Sequence, residues 1–467
     1  MAKKEVIEAK KLTSKQLDEE FGSIPGVEMG SKPVHEEIKY VYGYDCPPID
    51  IPSGGGIVGG KIYEIFGEES HGKSTFALEN AKTFCDYWSK VPGANYRVFW
   101  VESESAFDKV RAAYLGCDLT KFMFFKTDVF EDGRDRIRLA LDKAQKQGVK
   151  LFIVWDTIAA TATRNEKDAN AEVSGVEDDG GEDDGKSKTN PGGMMEKPRL
   201  IKAMFRDMTH LIGETQSTFV IVNQVSLKKG AYQFSLDSTG GHALKHHASV
   251  RAKIHRMQDL DNVGTDGKST IYAYISEMSF IKNKLTGYTK YKVPMYFDII
   301  HGLDKIETRL LYLRSSKIIP GAAGGWTTIK IPTGYATKPT DKVEMIEIKY
   351  QGNNGFKNMI KKYPHMIDWF DLLTYKTFCS DNPLVKIKNI DKLWVYEEKF
   401  YGQRITKLTE EEKNAANIMY DDLVHASDME VEEKPVETVV EKEKKAGPKL
   451  PMPTNIKKPA GEKRTNA

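Results

Sequence analysis

One octapeptide restricts what this chain can fold into more than any other part of its sequence. Residues 67–74, GEESHGKS, fit the pattern G-x4-G-K-[ST] and lie between an apolar run at 61–66 and a helical stretch that opens at 74. Glycines in such a loop let the backbone curl until successive N–H groups point at phosphate oxygens. A strand before the loop and a helix after it predict a nucleotide-binding turn, and they disfavour the alternative of a glycine-rich turn without a ligand.

The residue types inside the loop suit a triphosphate. Lys73 would reach the β- and γ-phosphates, and the Ser74 hydroxyl would take a Mg²⁺ position. The loop residues predicted to bind the nucleotide are Gly67, Glu68, Glu69, Ser70, His71, Gly72, Lys73, Ser74 and Thr75. Glu68, Glu69 and His71 occupy the variable positions of the pattern, so no individual role is assigned to them.

Apolar runs alternate with helical periodicity around this loop. After the run at 61–66 come RVFWVE (97–102), LFIVWD (151–156) and TFVIVNQ (218–224), each β-branched or aromatic and each ending in a polar residue. Strands separated by helices indicate an α/β fold with a mostly parallel sheet covered on both faces. Ligands of such sheets bind beyond the carboxyl ends of the strands, where these polar residues collect.

Three carboxylates lie at or just beyond the ends of two of those runs. Asp156 would hold Mg²⁺ through water beside the phosphate loop, although an ordinary helix-capping Asp would also stand at a strand end. Glu102 and Glu104 follow RVFWV, and a carboxylate near the γ-phosphate could orient and deprotonate the attacking water. The spacing alone does not choose between the two glutamates.

Composition removes several classes of protein. No apolar stretch approaches the roughly eighteen residues of a membrane span, and the charged start resembles no secretory signal, so we expect a cytoplasmic protein without a membrane partner. The four cysteines form no C-x-x-C pair, which disfavours a thiolate zinc site. Basic residues number 69 and acidic residues 67, so the net charge of +2 indicates no partner.

Two segments are predicted to lie outside the packed core. Residues 165–185 are acidic and glycine-rich, which indicates a solvated loop, and residues 427–467 lack aromatics and form a disordered charged tail. Between the core and the tail, residues 306–426 predict a small α+β C-terminal domain in which we find no chemistry.

Six motifs occur in an order that resembles the RecA family of bacterial and phage recombinases. They are EIFGEESHGKST, VESESAFDKVRAAYLGCDL, LFIVWDTIAA, FVIVNQVSLKKG, STGGHALKHHASVRAKIHR and FIKNKL, and the likeness runs from about Gly54 to Trp326. The resemblance implies a RecA-like P-loop NTPase core at 51–305, preceded by an oligomerisation segment at 1–50. It also implies ATP and Mg²⁺ as cofactors.

The resemblance also implies roles for single residues. Glu104 matches the glutamate that activates water, Gln224 the sensor of the γ-phosphate, and Asp108 a position near the base. With Lys73, the first two form the implied catalytic set. Lys282 and Lys284 match lysines that a neighbouring subunit inserts against the triphosphate.

DNA would bind two loops, at about 161–198 and 225–239. The implied DNA-binding residues are Arg199, Lys228, Lys229, Tyr232, Phe234, Gly240 and Gly241. Two positions depart from the family pattern: Arg111 stands where a tyrosine usually stacks on adenine, and His246 replaces an aromatic near the subunit boundary.

Taken together, the resemblance implies an ATP-dependent strand-exchange protein. Its subunits would form a helical filament on single-stranded DNA and pair it with homologous duplex DNA. Two alternatives remain: a RecA-like scaffold that does not catalyse exchange, and a hexameric helicase or translocase built on the same core.

Overall fold

The computed structural model describes most of the chain from residue 39 to residue 414. The described residues are 13, 15–16, 20, 23 and 39–414, except for 169–195, 230–233, 239–240, 264–267, 290, 321–324 and 339–342. Most of the predicted acidic loop, most of the N-terminal segment and the whole predicted tail (427–467) therefore lie outside the described residues.

Strands and helices alternate along the first part of the chain. In chain order, the strands are β1 (Val41–Tyr42), β2 (Ile57–Val58), β3 (Ile62–Gly67), β4 (Tyr96–Glu102), β5 (Phe122–Lys126), β6 (Lys150–Asp156), β7 (Thr218–Lys229), β8 (Phe234–Ser238), β9 (Val250–Val263), β10 (Ser269–Asn283), β11 (Lys292–Asp298), β12 (Gly302–Leu303), β13 (Trp326–Pro332) and β14 (Met345–Gln351). The helices are α1 (Pro47–Ser53), α2 (Lys73–Trp88), α3 (Lys109–Tyr114), α4 (Phe130–Gln147), α5 (Glu196–Thr215), α6 (Gly241–His247), α7 (Lys305–Ser315), α8 (Gly352–Lys362), α9 (His365–Asp381) and α10 (Pro383–Tyr401). In the described part of the chain, no helix combines the length and the apolar character needed to cross a membrane.

One large sheet organises the core. Its strand order is β12-β11-β10-β9-β3-β7-β6-β4-β5, with β8 paired to β7. The run from β9 to β5 is parallel, whereas β10, β11, β12 and β8 add antiparallel pairs. The predicted α/β class with a mostly parallel sheet is confirmed.

Both faces of the central parallel strands β3 and β6 are buried, as their continuous apolar runs require. In β6, Phe152 and Val154 belong to the core that α2 covers with Phe84. The intervening Ile153 and Trp155 belong to the opposite core, which α4 and α5 cover. Because side chains of a strand alternate between faces, one apolar run supplies both layers.

The sheet extends further than the four apolar runs predict. Strand β5 adds an edge beside β4, β9 adds a parallel strand beside β3, and β10 to β12 add an antiparallel flank. Within the segment 225–239, predicted as a loop, the described residues 225–229 and 234–238 instead form paired antiparallel strands, with Val225–Lys229 of β7 against β8. The added flank escaped prediction because β10 begins with four exposed residues and then alternates buried with half-buried ones, so its apolar signal is diluted.

A second hydrophobic core follows the sheet. Helices α7 to α10 and the β13–β14 hairpin pack around buried aromatics such as Phe356 and Phe378, as expected for a small α+β unit. A buried ion pair joins Arg309 of α7 to Asp371 of α9, at 2.8 and 3.0 Å, and Arg309 also donates to the Asp45 carbonyl at 2.8 Å. The domain boundaries at 50/51, 305/306 and 426/427 stay predictions.

Candidate nucleotide-binding site

The phosphate loop joins the end of β3 to the start of α2, and two of its glycines are required by close contacts. Gly72 has φ +95°, and a Cβ there would lie 2.9 Å from the Tyr274 hydroxyl. A Cβ on Gly67 would lie 2.2 Å from the Ile254 carbonyl oxygen. The loop therefore keeps a backbone that a side chain would block, and it leads into the N-terminal turn of α2, where N–H groups favour an anion.

Lys73 is the cation at the centre of this loop. Its side chain is buried, and Nζ donates to the Glu68 carbonyl at 2.6 Å. Burial lowers the pKa of Lys73, while the nearby carboxylates of Asp156 and Glu104 oppose that shift. The ammonium group is thus held among oxygen atoms at the point where the loop would receive terminal phosphates.

Ser74 and Asp156 meet beside Lys73. The Ser74 hydroxyl hydrogen-bonds to Asp156. Burial raises the pKa of Asp156 to about 6, and the bond from Ser74 works against that rise. A hydroxyl and a carboxylate are the hard oxygen donors that Mg²⁺ takes together with waters and substrate phosphates, so the pair fits the predicted metal position.

The structure gives different surroundings to the two glutamates between which residue spacing alone did not choose. Glu102 is 4% exposed, and its Oε1 accepts a hydrogen bond from the Ala106 N–H at 2.9 Å, so this carboxylate secures the turn after β4. Glu104 is exposed on that turn. Of the two carboxylates, Glu104 is therefore the one that solvent can reach.

Gln224 lies at the same edge of the sheet. In the pairing of β3 with β7, Gln224 stands opposite Gly67. Its Nε2 donates to Glu104 Oε1 at 2.9 Å. The sheet thus brings together the phosphate loop, the predicted water-activating glutamate and the predicted sensor, which are far apart in sequence.

A buried polar network below this edge was not predicted. Glu64 of β3 is fully buried; its carboxylate accepts from Arg251 of β9 and, at 3.0 Å, from Asn223 of β7. Arg251 also donates to the Ser238 hydroxyl at 2.9 Å, where β8 ends. These contacts tie the strand before the phosphate loop to both strands of the hairpin. No local sequence signal marks them, because each partner comes from a different strand.

Three further residues, Asp108, Lys282 and Lys284, were predicted to contact the nucleotide. Asp108 is the N-cap of α3, and its Oδ1 accepts from the Arg111 N–H at 3.0 Å. Lys282 donates to two carbonyls of α6 in its own chain, those of Lys245 and, at 2.8 Å, His246. Lys284 is exposed. Lys282 therefore occupies a C-terminal helix site that favours a cation.

The predicted DNA-binding residues are only partly described. Arg199 is exposed in the first turn of α5. Lys228 and Lys229 lie in β7, Phe234 in β8 and Gly241 at the start of α6. Tyr232 and Gly240 lie outside the described residues.

Comparisons with known proteins point to one family. A family model described as the RecA N-terminal domain matches residues 8–303. The chain is 28% identical over 316 residues to Protein RecA of Salinispora tropica, covering 67% of this chain and 80% of the relative. It is 28% identical over 361 residues to Protein RecA of Nitratiruptor sp., covering 76% and 89%, and 30% identical over 255 residues to Protein RecA of Nostoc punctiforme, covering 54% and 61%.

Proposed function

Because this chain belongs to the RecA family, we propose that it is an ATP-dependent recombinase that assembles on single-stranded DNA and exchanges strands with a homologous duplex. The observation that carries the proposal is the hydrogen bond between Gln224 and Glu104. It connects the group that would activate water to a strand that continues without a break into the predicted DNA-binding segment. One strand thereby supports both nucleotide sensing and DNA contact.

The hydrolysis chemistry follows from the positions of five side chains. Lys73 would neutralise terminal phosphate charge, and Ser74 with Asp156 would hold Mg²⁺. Bound Mg²⁺ would add positive charge against the phosphate oxygens. Glu104 would accept a proton from the attacking water, while Gln224 orients the Glu104 carboxylate through its amide N–H.

DNA contact would fall on the hairpin formed by β7 and β8. Its segment 225–239 contains Lys228, Lys229, Tyr232 and Phe234, and cations interleaved with aromatics suit single strands through phosphate neutralisation and base stacking. The buried Arg251 reaches Ser238 at the end of β8 as well as Glu64 beside the phosphate loop. A shift of the strand before the phosphate loop would therefore be transmitted to the end of β8, and the reverse, through a rigid, buried hydrogen-bond network.

Filament assembly would use the edge of the sheet at β5. An apolar groove of about 600 Å³ lies between β4, β5 and α4. Its lining includes Phe99, Met123, Phe125, Leu139 and Leu151, with Arg97, Arg136 and Lys143 among the basic residues. The N-terminal segment of a neighbouring copy, which carries the acidic run DEE at 18–20, would complement this charge.

Replacing Gln224 by Ala should uncouple the rate of ATP hydrolysis from the binding of single-stranded DNA. Loss of the amide leaves Glu104 without its partner, so we expect nucleotide binding to persist while stimulation of ATPase by single-stranded DNA falls about 10-fold or more. Steady-state ATPase measured with and without single-stranded DNA, and joint-molecule formation with homologous duplex, provide the readouts.

Gln145→Ala is the matched control, because Gln145 donates to Glu214 at 3.1 Å in an exposed Gln–Glu pair far along α4. It should leave both readouts unchanged. If wild-type protein hydrolyses ATP on single-stranded DNA but forms no joint molecules, the strand-exchange proposal fails and a scaffold or translocase becomes the better description. A closed ring in electron micrographs would specifically favour the translocase.

Lys284→Ala tests the proposed shared nucleotide site between subunits. Lys284 is exposed, whereas Lys282 also holds the end of α6, so Lys284 gives the cleaner variant. We expect loss of ATP-dependent DNA binding with nearly unchanged nucleotide binding by the isolated subunit. Mixing Lys284→Ala with Lys73→Ala protein should restore part of the ATPase, because some interfaces then combine two intact halves. Absence of recovery at every ratio, with co-assembly verified, would contradict a shared site.

A further inference from the structure

Arg111 contacts the phosphate-loop helix directly. Its Nη2 donates to the Thr75 hydroxyl at 3.0 Å, although the two residues lie on different helices. Thr75 is buried and belongs to the first turn of α2, immediately after Lys73 and Ser74. The guanidinium group is therefore fixed beside the turn that would receive the phosphate chain.

The charge around Arg111 is unbalanced. Among the residues that the structure describes, no carboxylate forms an ion pair with its guanidinium group, and its buried Nε has no hydrogen-bond partner. The N-terminal end of a helix carries positive partial charge, so a cation beside it is unfavourable unless an anion is present. A buried donor without a partner is a second, independent cost. A phosphate bound at this turn would offset the first cost, because its negative charge would lie between the guanidinium group and the helix N-terminus.

Tyr274 holds this arrangement in place. It is 3% exposed, and its hydroxyl hydrogen-bonds to the side chains of Thr75 and Arg111. On its ring lies Arg256, 4.3 Å from the centroid, which donates to the Ser70 carbonyl at 3.0 Å. Tyr274 thus holds Arg111 against the loop. It restricts movement of the guanidinium group to a position where it could stack on a nucleotide base.

We propose that Arg111 binds the phosphate chain of the nucleotide rather than its base. The inference rests on the proposed nucleotide site. A residue that reads phosphate contributes equally whatever base is attached, so this position should add little discrimination between ATP and GTP. A guanidinium group also gives directed, charge-assisted hydrogen bonds to phosphate.

Inorganic tripolyphosphate distinguishes the two roles because it has neither base nor ribose. Its binding, and that of ATP and GTP, would be measured calorimetrically in Mg²⁺ for the wild type, Arg111→Ala, Arg111→Lys and Arg111→Tyr. We expect Arg111→Ala to weaken all three ligands by a similar factor, about 10- to 100-fold. Arg111→Lys should recover part of the loss and Arg111→Tyr none. Arg206→Ala, which removes a 78% exposed arginine of α5, should change nothing.

A Thr75→Val background tests whether Arg111 acts only through Thr75. In that background the loss caused by Arg111→Ala should persist; if it disappears, Arg111 merely positions Thr75 and the proposal is overturned. Unchanged tripolyphosphate binding with weakened ATP binding would make Arg111 a base platform, and unchanged binding of all ligands would remove any role. Lys73→Ala distinguishes failure of the Arg111 proposal from failure of the proposed nucleotide site. If Lys73→Ala protein binds tripolyphosphate and ATP with wild-type affinity, the proposed nucleotide site is wrong, whatever Arg111 does.

Discussion

Replacement of Lys73 by Ala should reduce ATP hydrolysis by about 100-fold or more, because the phosphate loop loses the fixed cation that meets charge developing on the phosphates. The side chain is buried and held at the Glu68 carbonyl, so its place is set before any ligand arrives. Water could not supply an equivalent charge at that point. Nucleotide binding should weaken as well, since each charge-assisted hydrogen bond contributes about 1.5–3 kcal/mol.

ATPase rates and nucleotide titrations should be compared with Lys90→Ala, which removes an exposed lysine just beyond the other end of α2. Circular dichroism and thermal unfolding would establish that both variants are folded. We expect Lys90→Ala to match the wild type. Hydrolysis by folded Lys73→Ala at close to the wild-type rate would remove the phosphate loop from the mechanism.

Glu104→Gln should give a different defect, in which hydrolysis falls by about 100- to 10,000-fold while nucleotide and DNA binding persist. An amide cannot accept the proton of the attacking water, but its oxygen can still accept the hydrogen bond from Gln224. The geometry of the site is therefore kept while the base is removed. Filaments formed with ATP should last longer than those of the wild type, because hydrolysis would no longer loosen them.

Glu102→Gln is the matched control, two residues away. Its remaining oxygen can still accept the bond from the Ala106 N–H, so we expect a normal fold and near-normal hydrolysis. Single-turnover hydrolysis and filament lifetime in electron micrographs measure the contrast. The reverse result, with Glu102→Gln inactive and Glu104→Gln active, would transfer the role of water activation to Glu102.

Local residue spacing was sufficient to predict the four parallel strands β3, β4, β6 and β7. Runs such as LFIVWD at 151–156 are too short and too β-branched for helices, and the structure places β6 at Lys150–Asp156. The phosphate loop at 67–74 could be predicted for a similar reason. Its glycine, lysine and serine stand at fixed intervals because each meets a local requirement of backbone conformation or charge. The antiparallel flank was missed because strands with one exposed face mix polar and apolar residues.

The side-chain contacts inside the candidate site could not be predicted from local residue spacing. Gln224 and Glu104 are 120 residues apart, Arg111 and Thr75 are 36 apart, and Arg251 and Glu64 are 187 apart. Their contacts depend on strand order, and a repeating apolar pattern is compatible with many orders. Resemblance to known proteins supplied a role for Glu104 and Gln224, but it did not predict that the two side chains touch.

The amino-acid sequence by itself determined the class of fold, the phosphate loop and the strand ends at which polar side chains gather, because each depends on residues close together in the chain. Only the tertiary structure showed that Glu102 is buried against the Ala106 N–H while Glu104 is exposed, placed Lys282 on the carbonyls of α6 and fixed Arg111 to Thr75. Those outcomes depend on which strand or helix lies next to which. Packing of the whole core selects that arrangement, and no short segment of the chain contains it.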